Sequence, residues 1–323
     1  MAWKRVARII LHDIGAIAAL RTLHRRKFQV LMFHSFEESD TTGLETICSH
    51  ITRSFAPISM TTIGAALKEG KRLPDYSLAV TVDDGYQSFL VNGWPIFKRY
   101  RIPVTVYAVA AFSDGQSWLW WDQIEFALEN TVKTSVTVRV DGAPAMDLDL
   151  SSNLKKARAI SSLTEELKNV PNDVRLEFLN GFGRLCGVEI PHDPPPHRAA
   201  MSWEEFRAVA ADGVEVGCHT ETHPILSRLT DLAQIEREIR GAKKYLEDRL
   251  GFPVTHFSYP NGREIDITDS VVACVRDAGF ATAVTTTCGL NTIGIDPLRI
   301  RRVPFGSQID LRYGIELLAG LHL

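Results

Sequence analysis

The sequence predicts an α/β fold with ligand-rich strand ends, and three observations carry that expectation. Two strand-like runs, Ser77–Val82 and Glu215–Cys218, lead into fragments rich in ligand side chains: Asp83-Asp84-Gly85 and His219-Thr220-Glu221-Thr222-His223-Pro224. In α/β sheets and barrels, functional groups gather at the carboxyl ends of strands. The chain has 323 residues, 45% hydrophobic and 23% charged, enough to bury a sizeable core, and one α/β barrel with an insertion fits that length. Between the two fragments, residues 113–200 are longer than a barrel connection requires, which marks a lid or subdomain.

Residues 1–27 read as an amphipathic N-terminal helix. Trp3, Val6, Ile9, Ile10, Ile14, Ile17 and Leu20 recur near helical spacing, with Lys4, Arg5 and Arg8 elsewhere on the wheel. Such a helix can dock on the barrel or lie on an anionic membrane surface. The barrel domain, 28–323, opens with the apolar run Val30–Phe33, an early strand ending at His34. Ser77–Val82 is the kind of apolar, β-branched run found in a buried strand. The insertion begins at Trp118, Trp120, Trp121 and Asp122; these aromatic rings could stack on sugars or anchor the insertion to the barrel. Val136–Val140 followed by Asp141-Gly142 reads as a hairpin arm, and Leu154–Leu167 and Val174–Leu185 as helices. Pro191 and Pro194-Pro195-Pro196 mark the exit toward Met201. Leu298–Phe305 alternates as a strand does, placing Arg299 and Arg301 on one face and Arg302 on the other.

The chemistry follows from the ligand count. A catalytic zinc-type site needs about three protein ligands and an open position. Asp84, His219 and His223 fill that quota and leave Asp83 as a spare carboxylate beside them. Histidines spaced His-x-x-x-His reach one ion from a helical turn or a tight loop, and Pro224 discourages a helix through the segment, so His223 is expected at a bend. Alone, Asp-Asp-Gly is commonly a turn or helix cap, and a histidine pair is commonly surface or core. Their shared position at strand ends gives the combination its weight. Two imidazoles and a carboxylate suit zinc, cobalt or nickel, with zinc the default.

These fragments resemble the polysaccharide deacetylases with a NodB homology domain, carbohydrate esterase family 4. Thr81 to Gly85 is similar to the family's first motif, with Val82 where Phe is usual, and His219 to Pro224 to its second. Met201–Glu205 and Ala211–Gly217 are similar to the helix and strand preceding the family's histidines. Phe257–Gly262 is similar to the third motif, and Val30–Ser35 to the opening strand of one branch. The resemblance covers roughly residues 28–112 and 200–310. It implies a distorted (β/α) barrel, usually of seven strands, and N-deacetylation of N-acetylated amino sugars. By position it makes Asp83 the general base, makes Asp84, His219 and His223 ligands of a divalent metal, and puts the oxyanion's N–H donor at Asn261. Tyr259 and Trp121 are further candidates for substrate contact. Ser258 stands where many members carry an Arg that orients the base, so Arg302 is expected to do that work. The usual C-terminal Leu-x-His motif is missing, which leaves His34 and His322 as candidates for the general acid.

Net charge of −3 leaves no electrostatic footprint for nucleic acid. The five scattered cysteines, without a Cys-x-x-Cys pair, point to reduced thiols and a cytosolic compartment. Cys218 adjoins His219, but alternation turns it to the opposite face, toward packing. His12, Asp13 and Arg21 interrupt the N-terminal apolar stretch, so no signal peptide is read, and no run is long enough to span a bilayer. The expected partner is an N-acetylated glycan, with peripheral membrane contact through the N-terminal helix as a further expectation. Two alternatives share the first two motifs: hydrolysis of non-sugar amides such as allantoin- or imide-type rings, and a catalytically inactive carbohydrate-binding homologue.

Overall fold

The computed structural model describes residues 16–116, 118–306, 311–318 and 320. Seven parallel strands close a barrel. They are β1 (Gln29–Phe33), β3 (Ser77–Val82), β4 (Val104–Ala108), β7 (Glu215–Cys218), β8 (His256–Ser258), β9 (Thr282–Cys288) and β10 (Ile300–Pro304). Their order around the barrel is β1-β10-β9-β8-β7-β4-β3, and β3 returns to β1 through Gln29↔Leu78 to Phe33↔Val82. The short β2 (Ala56–Pro57) pairs with the first two residues of β3. Closure leaves the barrel without an open edge. Every residue of β1, β3 and β4 is buried, as expected of parallel strands covered by helices outside and packed side chains inside.

Strand alternation divides these buried residues between two environments. Leu78, Val80 and Val82 of β3 face the surrounding helices in the main core. Ala79 faces inward, packing with Val30, Tyr107, Val284 and Ile300. Thr81 and Asp83 continue the inward face of β3, and Arg302 continues that of β10 two residues after Ile300. The barrel is therefore apolar below and polar at its carboxyl end. Gly217 of β7 shows how tightly the interior is filled: a Cβ there would lie 2.4 Å from Tyr107 Cδ1. Below, the Glu215 carboxylate accepts from Met60 N (2.9 Å) and Thr61 N (3.1 Å), capping helix Met60–Glu69.

Residues 16–23 of the expected N-terminal helix are helical, and Arg21 lies over the rings of Phe55 (5.7 Å) and Tyr76 (5.2 Å), docking this end on the barrel. Residues 1–15 of that helix lie outside the described residues. Among the described residues, no helix is long and apolar enough to cross a membrane.

The stretch between the motifs carries helix Trp120–Asn130, an antiparallel hairpin of β5 (Ser135–Val138) and β6 (Met146–Asp149), and helices Asn153–Leu167 and Asn172–Cys186. Ser152 caps the first of these last two helices through Lys155 N, and Gly187, in a left-handed conformation, ends the second. The segment has its own apolar core, including Ile124, Leu128, Leu148, Leu163 and Phe182. Its exit is tied back to the first motif, where Tyr86 bridges Ala200 and Met201 N donates to Gly85 O (2.9 Å).

Candidate metal and catalytic site

The first motif turns sharply as β3 ends. Asp83 N donates to Phe33 O (2.9 Å), then Asp84 (φ 74°) and Gly85 (φ 82°) both adopt left-handed backbone. Aspartate tolerates that region better than most residues. Glycine is required next to it, because a Cβ on Gly85 would lie 2.8 Å from Phe206 Cζ. The second motif leaves β7 with His219 N donating to Ala108 O (2.8 Å). His223 does sit at a bend: Thr220 (φ 68°) and His223 (φ 58°) are left-handed, and His223 N donates to Thr220 Oγ1 (3.0 Å). The Glu238 carboxylate holds the loop between them, accepting from Glu221 N and Thr222 N, both at 2.9 Å.

These turns bring Asp84, His219 and His223 together, all three buried, with their ligand atoms within 4.8 Å of one another. Asp84 Oδ1 lies 3.5 Å from His219 Nε2 and 3.6 Å from His223 Nε2, and the two Nε2 atoms are 3.1 Å apart. His219 Nδ1 is 2.7 Å from Ser258 O. A carbonyl can only accept, so Nδ1 carries the hydrogen and Nε2 presents its lone pair to the cluster. Burial lowers the pKa of both imidazoles, His219 to about 4 and His223 well below the ordinary value, which keeps them uncharged. Asp84 is pushed well above the usual carboxylate range by burial and then by the charges of Asp83 and Asp122. A buried carboxylate facing two neutral imidazoles is a donor set that fits a divalent cation.

Asp83 has a different environment. Arg302, fully buried, grips it with two bonds, Nη1 to Oδ1 and Nη2 to Oδ2, both 2.7 Å. The guanidinium also donates to Thr285 O (2.8 Å), Thr81 Oγ1 (3.2 Å) and Ser258 Oγ (3.1 Å), while Ser258 Oγ donates to Asp83 Oδ2 (3.3 Å). Burial alone would raise the Asp83 pKa, but the Arg302 charge, His219 and the Arg302 hydrogen bonds outweigh it and hold the carboxyl well below its ordinary range. Adjacent carboxylates are thus driven in opposite directions, the pattern by which one site separates two carboxylate roles. Of the three candidate arginines, Arg302 alone reaches Asp83; Arg301 is exposed, and Arg299 donates to Asp269 Oδ1 (2.8 Å) at the surface.

The site floors a cleft of about 700 Å³ lined on one side by the barrel loops and on the other by the insertion. His34, Trp121 and Asn261 line it, as do Ile160, Thr164, Glu165 and Lys168 from the insertion. His34 is open to the cleft yet sits among many protein atoms, and that desolvation lowers its pKa against the opposing charge of Asp83. His322 lies outside the described residues. Asn261 is left-handed (φ 59°), and its carbonyl accepts from Thr286 Oγ1 (2.7 Å). Tyr259 is a correction. Its ring is buried in the main core and its hydroxyl donates to Leu298 O (3.0 Å), so its side chain faces away from substrate. Inward alternation sends Ser258 to the site and Tyr259 outward. Trp118 is an anchor, buried with Nε1 on His192 O (3.0 Å). Cys218 packs in the main core, and its thiol is pushed up to about 12 by burial.

Two residues at the site were not singled out as functional by the sequence. Tyr86 donates to Asp122 Oδ2 (2.8 Å) and accepts from Trp121 Nε1 (3.1 Å). Asp122, which the sequence marks only as part of the aromatic cluster, also accepts from Arg198 Nη1 (3.0 Å), and burial raises its pKa to about 6. The available signal was position: Tyr86 directly follows the Asp-Asp-Gly turn. Arg263 bonds Glu165 (2.6 Å) and Asp266 (2.8 Å), linking the insertion to the third-motif loop.

Residues 192–283 match the family model described as polysaccharide deacetylase. A poly-beta-1,6-N-acetyl-D-glucosamine N-deacetylase of Escherichia coli K12 is 29% identical over 97 residues, which is 27% of this chain and only 14% of that protein. Two solved structures share the fold over nearly the whole chain. The deacetylase PplD of Streptococcus pyogenes has TM-score 0.58 and 14% identity, over 90% of this chain and 98% of that one. IcaB from Ammonifex degensii has TM-score 0.57 and 16% identity, over 91% and 97%. With both motifs converging at the mouth of a seven-strand barrel, the chain is similar to polysaccharide deacetylases in sequence over residues 192–283 and shares its fold with two of them.

Proposed function

We propose that the chain is a metal-dependent N-deacetylase acting on N-acetylated amino sugars of a surface glycan or its precursor, with Asp83 as general base. One observation carries the reading: an arginine-clamped carboxylate lies against a buried Asp-His-His cluster at the floor of an open cleft. An inactive binding module has no use for a base held ionised beside its cation site. The names of the relatives, a poly-N-acetylglucosamine N-deacetylase among them, support a glycan substrate.

In this reading Asp84, His219 and His223 hold the ion, zinc by default. A divalent cation there supplies Lewis acidity, polarising the acetamide carbonyl and making water a nucleophile near neutral pH. Asp83 Oδ2, the oxygen 3.9 Å from His219 Nε2, receives the proton as water attacks. Arg302 and Ser258 keep that carboxylate ionised and fix its plane. The Asn261 N–H stabilises the oxyanion. His34, the cleft imidazole outside the triad, delivers the proton to the departing amine. The insertion, by walling the cleft, selects the glycan.

The test combines metal analysis with acetate release from N-acetylglucosamine oligomers followed by mass spectrometry. A mass loss matching one acetyl group replaced by hydrogen per deacetylated sugar, together with a bound divalent ion, is the expected result. Binding of metal and sugar with no acetate released would sink the enzyme reading, and turnover confined to cyclic imides or ureides would replace the substrate class.

A further inference from the structure

His219 and His223 are oriented by different means. His219 Nδ1 is fixed on Ser258 O at 2.7 Å. His223 Nδ1 is buried without a hydrogen-bond partner, while its Nε2 faces Asp84 and His219. A metal-ligating imidazole usually bonds through its second nitrogen, and that bond sets the ring's rotation. The left-handed conformation and the Thr220 contact fix the His223 backbone but give its Nδ1 no hydrogen-bond partner.

Two rings meet the His223 imidazole edge-on: that of its fellow ligand His219, with centroids 4.6 Å apart, and that of Trp121. The Trp121 and His223 centroids are likewise 4.6 Å apart, at an interplanar angle of 70°. Trp121 comes from the insertion, and its own rotation is set by a chain of hydrogen bonds. Trp121 Nε1 donates to Tyr86 Oη (3.1 Å), Tyr86 Oη donates to Asp122 Oδ2 (2.8 Å), and Arg198 Nη1 donates to Asp122 Oδ1 (3.0 Å). Arg198 also binds Glu125 (2.7 Å) and Glu129 (3.1 Å) on the same helix, so that helix is clamped beneath the indole. The relay joins the entry of the insertion, its exit and the residue that follows the first motif.

We propose that Trp121, held by Tyr86, Asp122 and Arg198, is the positioning residue that turns His223 toward the cation site, so that the insertion completes the metal centre as well as walling the cleft. The proposal rests on Asp84, His219 and His223 being the ligands. It gives Trp121 a role distinct from stacking on a sugar. An indole that only stacked on substrate would leave the affinity of the sugar-free protein for a cation unchanged.

The experiment is calorimetric titration of the metal-free full chain with Zn²⁺, paired with the visible absorption of the Co²⁺-loaded protein, for wild type, Trp121→Ala, Trp121→Phe and Tyr86→Phe. Trp121→Ala should weaken binding by about 10- to 100-fold, the range for lost outer-shell partners, and alter the Co²⁺ spectrum. Trp121→Phe keeps a ring edge against His223 and should restore most of the affinity. Tyr86→Phe removes the oxygen that orients the indole and should fall between them. Trp121 is only partly buried, and thermal unfolding of each metal-free variant checks the fold. If Trp121→Ala does not fold, Tyr86→Phe decides. Unchanged affinity and an unchanged Co²⁺ spectrum in the folded variants overturn the proposal. A wild type that binds neither ion overturns the ligand assignment beneath it.

Discussion

Replacing Arg302 with Met tests the electrostatic core of the site. The guanidinium is fully buried and donates two 2.7 Å bonds to a carboxylate that is itself only 3% exposed. Methionine fills similar space but leaves Asp83 as a buried charge without its counter-ion. Breaking a buried pair by removing one member costs about 3–5 kcal/mol. With unfolding entropy scaling with length, each kcal/mol is worth roughly 1.5 °C in a chain of this size, so Tm should fall by roughly 4–7 °C. The measurement belongs near pH 7. The folded pKa of Asp83 is depressed, so the pair's contribution is complete above the unfolded carboxylate value and disappears only as pH falls through the folded one. In Arg302→Met the depressing charge is gone and burial acts unopposed, so the acid limb of kcat/KM should move to higher pH. Adding Asp83→Asn removes the stranded charge and should recover much of the lost stability, giving a large coupling energy in the double-mutant cycle. The half-exposed Glu165–Arg263 pair is the contrast, since Glu165→Ala should cost no more than about 1 kcal/mol. An Arg302→Met loss as small as that, or no coupling with Asp83→Asn, would refute the reasoning.

Asp84→Ala and His219→Ala should each abolish tight divalent binding in calorimetry, whereas Asp83→Asn should retain the ion and lose turnover; loss of metal in Asp83→Asn would reassign that carboxylate. His34→Ala should lower kcat by about 10²–10⁴-fold with KM little changed, the span expected for a general acid, and an unchanged kcat would remove it from the mechanism. Tyr259→Phe loses one buried bond to Leu298 O and should cost about 1 kcal/mol with turnover unaffected, while a large drop in kcat would contradict its core placement.

Much of this arrangement is legible in the sequence because strands announce their direction. Ser77–Val82 running into Asp83-Asp84, and Glu215–Cys218 running into His219, place both motifs at one end of one sheet. Alternation separates Arg302 from Arg299 and Arg301, but it cannot say which face of β10 points inward. That is settled by Ile300, two residues earlier, packing with Val30 and Ala79 inside the barrel. The same alternation, applied to β8, would have turned Tyr259 away from the cleft once Ser258 was known to face it. What the sequence does not announce is tertiary convergence across the insertion. Tyr86, Asp122 and Arg198 lie far apart along the chain and meet only because a helix from the insertion packs over the turn after β3. Nor does any local pattern mark Ile160, Thr164 and Lys168 as cleft wall, since each occupies an ordinary helical position.

The Asp83–Arg302 pair spans 219 residues of sequence. On a ribosome adding about 5–20 residues per second, Asp83 emerges some 10–40 seconds before its counter-ion. Through that interval the nascent β1–β3–β4 layer must tolerate an acidic group with nothing to neutralise it, which favours leaving that end of the layer wet and unsealed. Arrival of β10 supplies the charge and closes the cylinder in one event, because Leu31↔Val303 pairing and the guanidinium clamp come from the same five-residue strand. A polypeptide stalled before Ile300 would bear both aspartates and both histidines yet lack the guanidinium that holds Asp83 ionised.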